Sequence, residues 1–184
     1  RYYSPAIEWI SAIVHTALLI WGAWIHSPCF TELGHMSAGI AHWTLGRYDL
    51  FQVNPPLVRL CATAPIACMR PMTNWDSYYH SPSRRTEFYV GDDFIRVNGE
   101  RAFFYFALAR CACIPFSWLG MWCCCTWASR MYGRAASPIV AVLWCFCPNI
   151  IANAQLINPD LGAAGIGACC FFVLLLWLRQ SAST

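Results

Sequence analysis

The chain of 184 residues contains no lysine; all twelve of its basic residues are arginine, and they are scattered along it. That excludes a polybasic tail and a continuous basic face, so nucleic acid is set aside as a partner. Charge of either sign is scarce: charged residues make up 11% of the chain, and the formal net charge is +3. Cys-x-x-Cys is also missing, although twelve cysteines are present, which removes the commonest zinc and redox spacings. Asp92-Asp93 is an adjacent acidic pair without a third ligand nearby, so no metal and no cofactor is expected. What the sequence has in excess is apolar surface, with 58% hydrophobic and 16% aromatic residues. One soluble core of this size does not need that much, and the membrane class follows.

Most cysteines sit inside apolar runs (Cys111 and Cys113, Cys123 to Cys125, Cys145 and Cys147, Cys169 and Cys170) and read as small apolar fillers. Cys29, Cys61 and Cys68 are placed nearer an outer face. Cys61 and Cys68 stand two turns apart on one helix, roughly 10 Å by the helical rise, and cannot bridge each other.

Residues 6–25 form an apolar segment long enough to cross a ~30 Å hydrocarbon core. No small-residue cleavage site accompanies it, so it reads as a retained anchor, and the chain as a whole reads as part of a longer protein. His15 in the middle of this span is more readily a neutral histidine bonded to a neighbouring helix than a functional group. Further apolar regions at residues 102–128, 135–151 and 161–178 give about four transmembrane helices. The second is interrupted by Arg110 and Pro115, and the third is kinked near Pro148. The fold class expected is therefore all-α and integral to the membrane. Residues 27–100 lie between the first two spans as an external loop, with juxtamembrane helices near 31–45 and 55–68. The stretch from Arg70 to Glu100 has no clear period and reads as a long loop holding one short helix at most.

The helix near 31–45 is amphipathic. Leu33, Met36, Ile40 and Trp43 fall on one side, Glu32, His35, Gly39 and His42 on the other, and Gly46 is placed to stop it. Its natural position is flat on the membrane surface, apolar side down and polar side towards a site. Asn54 is placed to cap a helix opening on Pro55-Pro56, which Pro65 ends or kinks. With Arg1 cytoplasmic, four crossings bring Arg130, Arg134 and Arg179 to the same side, as the positive-inside rule requires. The amphipathic helix, Pro55-Pro56 and Asp160 then share the opposite, external face.

Taken in order, Thr31-Glu32 opening the external helix, Pro55-Pro56-Leu57, Arg110 leading to the basic turn Arg130-Met131-Tyr132-Gly133, and Pro159-Asp160 at the last span make a recognisable set. Nearly the whole chain resembles the N-terminal portion of the GT-C fold polyprenyl-phosphate-dependent glycosyltransferases, the group of the protein O-mannosyltransferases and lipid A aminoarabinose transferases. The resemblance implies a plasma (inner) membrane, multi-pass protein that transfers a sugar from a polyprenyl-phosphate donor to an acceptor on the outer face. Membrane lipids are then its surroundings. One position departs from the pattern, since Thr31 stands where the family carries its first acidic residue. A hydroxyl with no depressed pKa is a poor base, whereas a positioned carboxylate contributes about 10² to 10⁴ in rate.

The chemistry needs a base and cations for the departing phosphate. Glu32 is the candidate base, one turn from His35 and within hydrogen-bonding reach of it; the competing reading is a carboxylate that merely favours a helix N-terminus. Arg110 and Arg59 are the donor-phosphate candidates, against arginines that snorkel to the headgroups. Asp160, Pro55 and Pro56 belong to the acceptor side or to the scaffold. Taken alone, these 184 residues are expected to insert and yet show no transfer, because other spans would complete the donor groove. A non-catalytic membrane protein that keeps the fold to bind a lipid or a partner subunit is the alternative. A transporter ranks third, as no paired broken helices or internal repeat is visible.

Overall fold

The computed structural model describes residues 5–80 and 85–181, all of whose regular structure is helical. Nine helices are described: α1 (Ala6–Ile25), α2 (Phe30–Thr44), α3 (Leu57–Cys68), α4 (Asp76–His80), α5 (Thr86–Asn98), α6 (Arg101–Tyr132), α7 (Ala136–Cys145), α8 (Pro148–Ala154) and α9 (Pro159–Ser181). Arg1, on which the orientation argument leans, and residues 81–84 of the expected 27–100 loop lie outside the described residues.

Three helices, α1, α6 and α9, are long and apolar enough to cross a membrane. The pair α7 and α8, bent by 58° at its break, makes a fourth if it counts as one span. This all-α arrangement fits a membrane-helix bundle. The packing on α1 has the same character: its buried stripe is Ser11, His15, Leu19, Gly22 and Ala23, mostly small or polar, while Trp9, Ile13 and Trp21 point outwards. Small and hydrogen-bonding residues inside with bulky apolar ones outside is the pattern of helices solvated by lipid. His15 takes the expected place, bonded to neighbouring helices. Its Nδ1–H donates to the Cys145 carbonyl (2.8 Å), so Nε2 accepts from the Ser117 hydroxyl (2.9 Å). The Cys145 carbonyl lies in the last turn of α7, just before the break at Pro148.

The core of the bundle is α6, which packs against α1, α3, α7 and α9. It runs unbroken through Pro115 and Arg110, where an interruption was expected, and ends at Gly133 with φ 89°. Helices α2 to α5 gather at the end where α6 begins. Met36 and Ile40 of α2, Val58, Ala62 and Ile66 of α3, Phe94 of α5, Phe106 and Ala109 of α6, and Ile157 share one apolar core.

Two sequence expectations need correction in this region. The stretch from Arg70 to Glu100 holds two helices, and α5 has a buried stripe of Glu87, Val90, Gly91 and Phe94. A glycine and a glutamate on that stripe hide its helical period. The second correction concerns α2. Glu32 and every residue from Gly34 to His42 are buried, the polar side as well as the apolar. The helix is therefore enclosed by protein, chiefly α3 and α5, on the polar side that was expected to face an open site. Gly46 does sit just beyond its end, with φ 64°.

A close approach joins α6 to its neighbours at Gly120. A Cβ there would lie 2.4 Å from the Trp144 ring and 3.2 Å from the Gly165 backbone. Gly120→Val is expected to push α7 and α9 away from α6 and to lower the thermal midpoint in detergent by several degrees, whereas Gly167→Ala, with open space around it, is expected to leave that midpoint unchanged. Differential scanning fluorimetry on the two purified variants checks this.

Candidate functional site

Glu32 and Arg110, 78 residues apart in sequence, meet where α2, α6 and the start of α9 converge, and neither is more than 1% exposed. The contact is a fork against a fork: Arg110 donates from Nε to Oε1 (2.9 Å) and from Nη2 to Oε2 (2.6 Å). The carboxylate accepts two further bonds, from the Ile157 amide at Oε1 (2.9 Å) and the Cys29 amide at Oε2 (3.0 Å). Arg110 spends its other N–H groups on the carbonyl end of α1, with Nη1 reaching Ala23 (3.0 Å) and His26 (2.7 Å) and Nη2 reaching Ser27 (3.1 Å). A guanidinium has five N–H donors, and all are engaged. Burial on its own would push the Glu32 carboxyl up; the hydrogen bonds and charge of Arg110, with the Ile157 and Cys29 amides, outweigh it and hold the group below the usual carboxylate range.

This changes what the two candidates can do. In this arrangement Glu32 has no lone pair facing an open site, and it does not bond to His35. Arg110 has no donor left for a phosphate. The pair ties the end of α1, the start of α2, α6 and the approach to α9 into one joint.

Arg59 is placed differently. It is 2% exposed, and its fork binds only neutral carbonyls, Nη1 to Phe51 (2.6 Å) and Nη2 to Asn54. No carboxylate oxygen of the described residues lies within ion-pair distance of it, and its Nε–H is buried without a partner. Asn54 thus serves through its carbonyl; the α3 cap is Pro56, which like Pro55 is exposed and makes no side-chain bond. Phe51 carries its carbonyl to Arg59 at φ 59°, a left-handed conformation that costs a bulky residue about 1–3 kcal/mol. It is held there by the Arg59 guanidinium 5.2 Å over its ring and by the edge of His35 at 4.7 Å.

His35 is 4% exposed. Burial first and the charge of Arg59 second push it down to about 4, against the opposing pull of Glu32 and Asp160. His42 is lowered in the same way by burial and Arg59, although its Nδ1–H donates to the Arg47 carbonyl (2.6 Å); its Nε2 is buried and unpartnered. Asp160 is exposed at the first turn of α9, where its carboxylate accepts from Asn158 (3.0 Å). Thr31 is exposed beside Cys29, with 3.2 Å between hydroxyl and thiol. Asp92 pairs with Arg96 and Asp93 accepts from Ser77, so the two carboxylates serve different partners. All twelve cysteines are free thiols.

The sequence reading missed Phe51, the Ile157 amide and the α1 carbonyls. Backbone partners leave no mark in sequence, and nothing about a phenylalanine announces a positive φ.

No protein-family description, no curated protein and no solved structure matches this chain.

Removing one member of a buried pair leaves the other charge uncompensated, at about 3–5 kcal/mol. Glu32→Gln and Arg110→Met are each expected to destabilise the protein by that order, and the double variant by less than the sum. Urea unfolding in mild detergent, followed by tryptophan fluorescence, measures the cycle. Because the Glu32 pKa is depressed, its contribution is present above the ordinary carboxylate range and is lost as pH falls through the folded value.

Proposed function

We propose that the chain belongs to a membrane glycosyltransferase of the GT-C fold and that its Arg59 end receives the phosphate of a polyprenyl-phosphate sugar donor on the outer face. One observation carries this reading. The segments on which the resemblance rests are far apart in sequence, yet the Glu32 carboxylate bonds to Arg110 and to the Ile157 amide two residues before Pro159-Asp160. The segment after Pro55-Pro56 brings Arg59 to the same end of the bundle, where its charge and that of Asp160 both act on His35.

The roles divide differently from the sequence expectation. Glu32 and Arg110 act as positioning residues, and Arg59 is a buried cation with no counter-charge among the described residues. A phosphodiester supplies what Arg59 lacks, a negatively charged acceptor for a planar N–H fork. The alternative, a membrane protein that binds a lipid phosphate without transfer, is favoured by a specific feature: Thr31 presents an exposed hydroxyl where a carboxylate would be needed, and Glu32 is fully coordinated.

The natural protein in nanodiscs is expected to bind a polyprenyl-phosphate sugar saturably, and Arg59→Gln to weaken that binding at least tenfold without loss of the folded state by circular dichroism. Undiminished binding by the Arg59 variant would remove the phosphate assignment. Transfer from a radiolabelled donor separates the two readings: turnover that rises with Thr31→Asp supports the enzyme, and binding with no turnover in either form supports the binding protein. Sidedness is tested by single cysteines at Asn74 and Ser129 in a background with the reactive native thiols removed. An impermeant thiol reagent on intact cells is expected to label position 74 and spare position 129.

A further inference from the structure

Three basic side chains gather around the α2–α3 contact, and the Phe51 ring lies 4.7 Å from the His35 ring and 5.2 Å from the Arg59 guanidinium. His35 and His42 lie on either side of Gly39 on one face of α2, and at Gly39 the helices touch so closely that a Cβ would stand 2.9 Å from the Arg59 carbonyl oxygen. Among the described residues Arg59 keeps an unused Nε–H and His42 an unused Nε2, and His35 is buried beside them. The acidic groups around them are already committed. Glu32 is paired with Arg110, Glu87 of α5 with Arg85, Asp49 with Arg47, and Asp160 of α9 accepts from Asn158. A buried guanidinium without a counter-ion is costly, and burial first, with the field of Arg59 added to it, keeps both imidazoles neutral.

We propose that a phosphodiester anion binds on the Arg59 guanidinium beneath the strap of residues 47–56 and that a proton enters His35 together with it. This rests on the phosphate role given to Arg59 above and adds a regulation of that site, a dependence on protons. The electrostatics are reciprocal. An anion at Arg59 cancels one of the two causes that hold His35 neutral and places a negative charge beside it, so the imidazolium becomes favourable and offers an N–H to a phosphate oxygen. The proton in turn strengthens the anion's hold by the same factor. The strap from Arg47 to Pro56 is the route of entry, since it covers Arg59 through the Phe51 and Asn54 carbonyls while Gln52 and Val53 stand in the open.

The test follows the His35 ring by NMR of ¹³C-labelled histidine in the natural protein in nanodiscs, with His35→Gln to assign its signal. Two probes keep a constant single charge over the pH range used: a geranyl-chain phosphodiester for the lipid source, and water-soluble diethyl phosphate for the free one. With a bound probe the His35 titration is expected to move up from about 4 by at least one and a half pH units, and affinity to rise at least threefold between pH 7 and pH 5. Response to both probes assigns recognition to the phosphodiester itself, and response to the geranyl probe alone assigns it to the lipid form; either supports the proposal. In Arg59→Gln, without any probe, the same titration is expected to move up because the field is gone. A probe that binds while His35 titrates unchanged overturns the linkage and leaves the Arg59 assignment standing. If neither probe binds, both the linkage and the Arg59 assignment fail, even where Arg59→Gln moves His35.

Discussion

The Glu32–Arg110 contact is the constraint from which the upper half of the molecule is built. A carboxylate and a guanidinium with almost no exposure to water persist only when each remaining lone pair and N–H finds a partner. Those partners are backbone groups from three places, the carbonyl end of α1, the Cys29 amide and the Ile157 amide. A shift of any of these segments leaves a buried charge short of a bond. The pair therefore fixes how α2 enters, how α1 ends, and where the chain turns towards α9. The apolar core beneath it, from Met36 to Ile157, supplies area but no such directional demand.

How much of this was legible in sequence depends on whether the signal lay in a side-chain pattern or in a backbone partner. Long apolar runs announced α1, α6 and α9, and Pro148 announced the break between α7 and α8. The 3.6 periodicity of Leu33, Met36, Ile40 and Trp43 gave α2 within a residue at each end. It misled about surroundings, because amphipathicity tells which faces differ and not what covers them. The polar face of α2 meets α3 through Gly39 and Thr63, a contact between small residues that composition alone cannot distinguish from an open surface. For α5 the failure was in the pattern itself, with Gly91 and Glu87 on the buried stripe and Leu33 of α2 pressed against that glycine.

The site residues divide along the same line. Glu32, Arg110 and Arg59 were singled out as the base and the cations that transfer from a lipid phosphate needs, and all three are buried. Their roles were not readable, because a role is set by which neighbours are already satisfied. The resemblance favoured Arg110 over Arg59 as the phosphate ligand, whereas its position near the end of a span suited a snorkelling arginine equally. Its five donors are all in use, while Arg59, the weaker candidate by sequence, retains one.

That difference bears on how one bundle can hold two buried arginines with opposite purposes. A guanidinium matched by a bidentate carboxylate is neutralised at contact and stabilises geometry, so it has no free donor for a ligand. A guanidinium held by two carbonyl dipoles is anchored in place but keeps its charge, and that charge is felt at His35 and His42. Phe51 is part of the same arrangement, since its unfavourable φ is what turns a carbonyl, rather than a carboxylate, towards Arg59. Strain in the strap and an unneutralised cation beneath it are then two sides of one condition: the fold has spent local backbone energy to hold a positive charge in a dry place without quenching it, and a group kept in that state differs from the Arg110 joint in being able to answer to an anion.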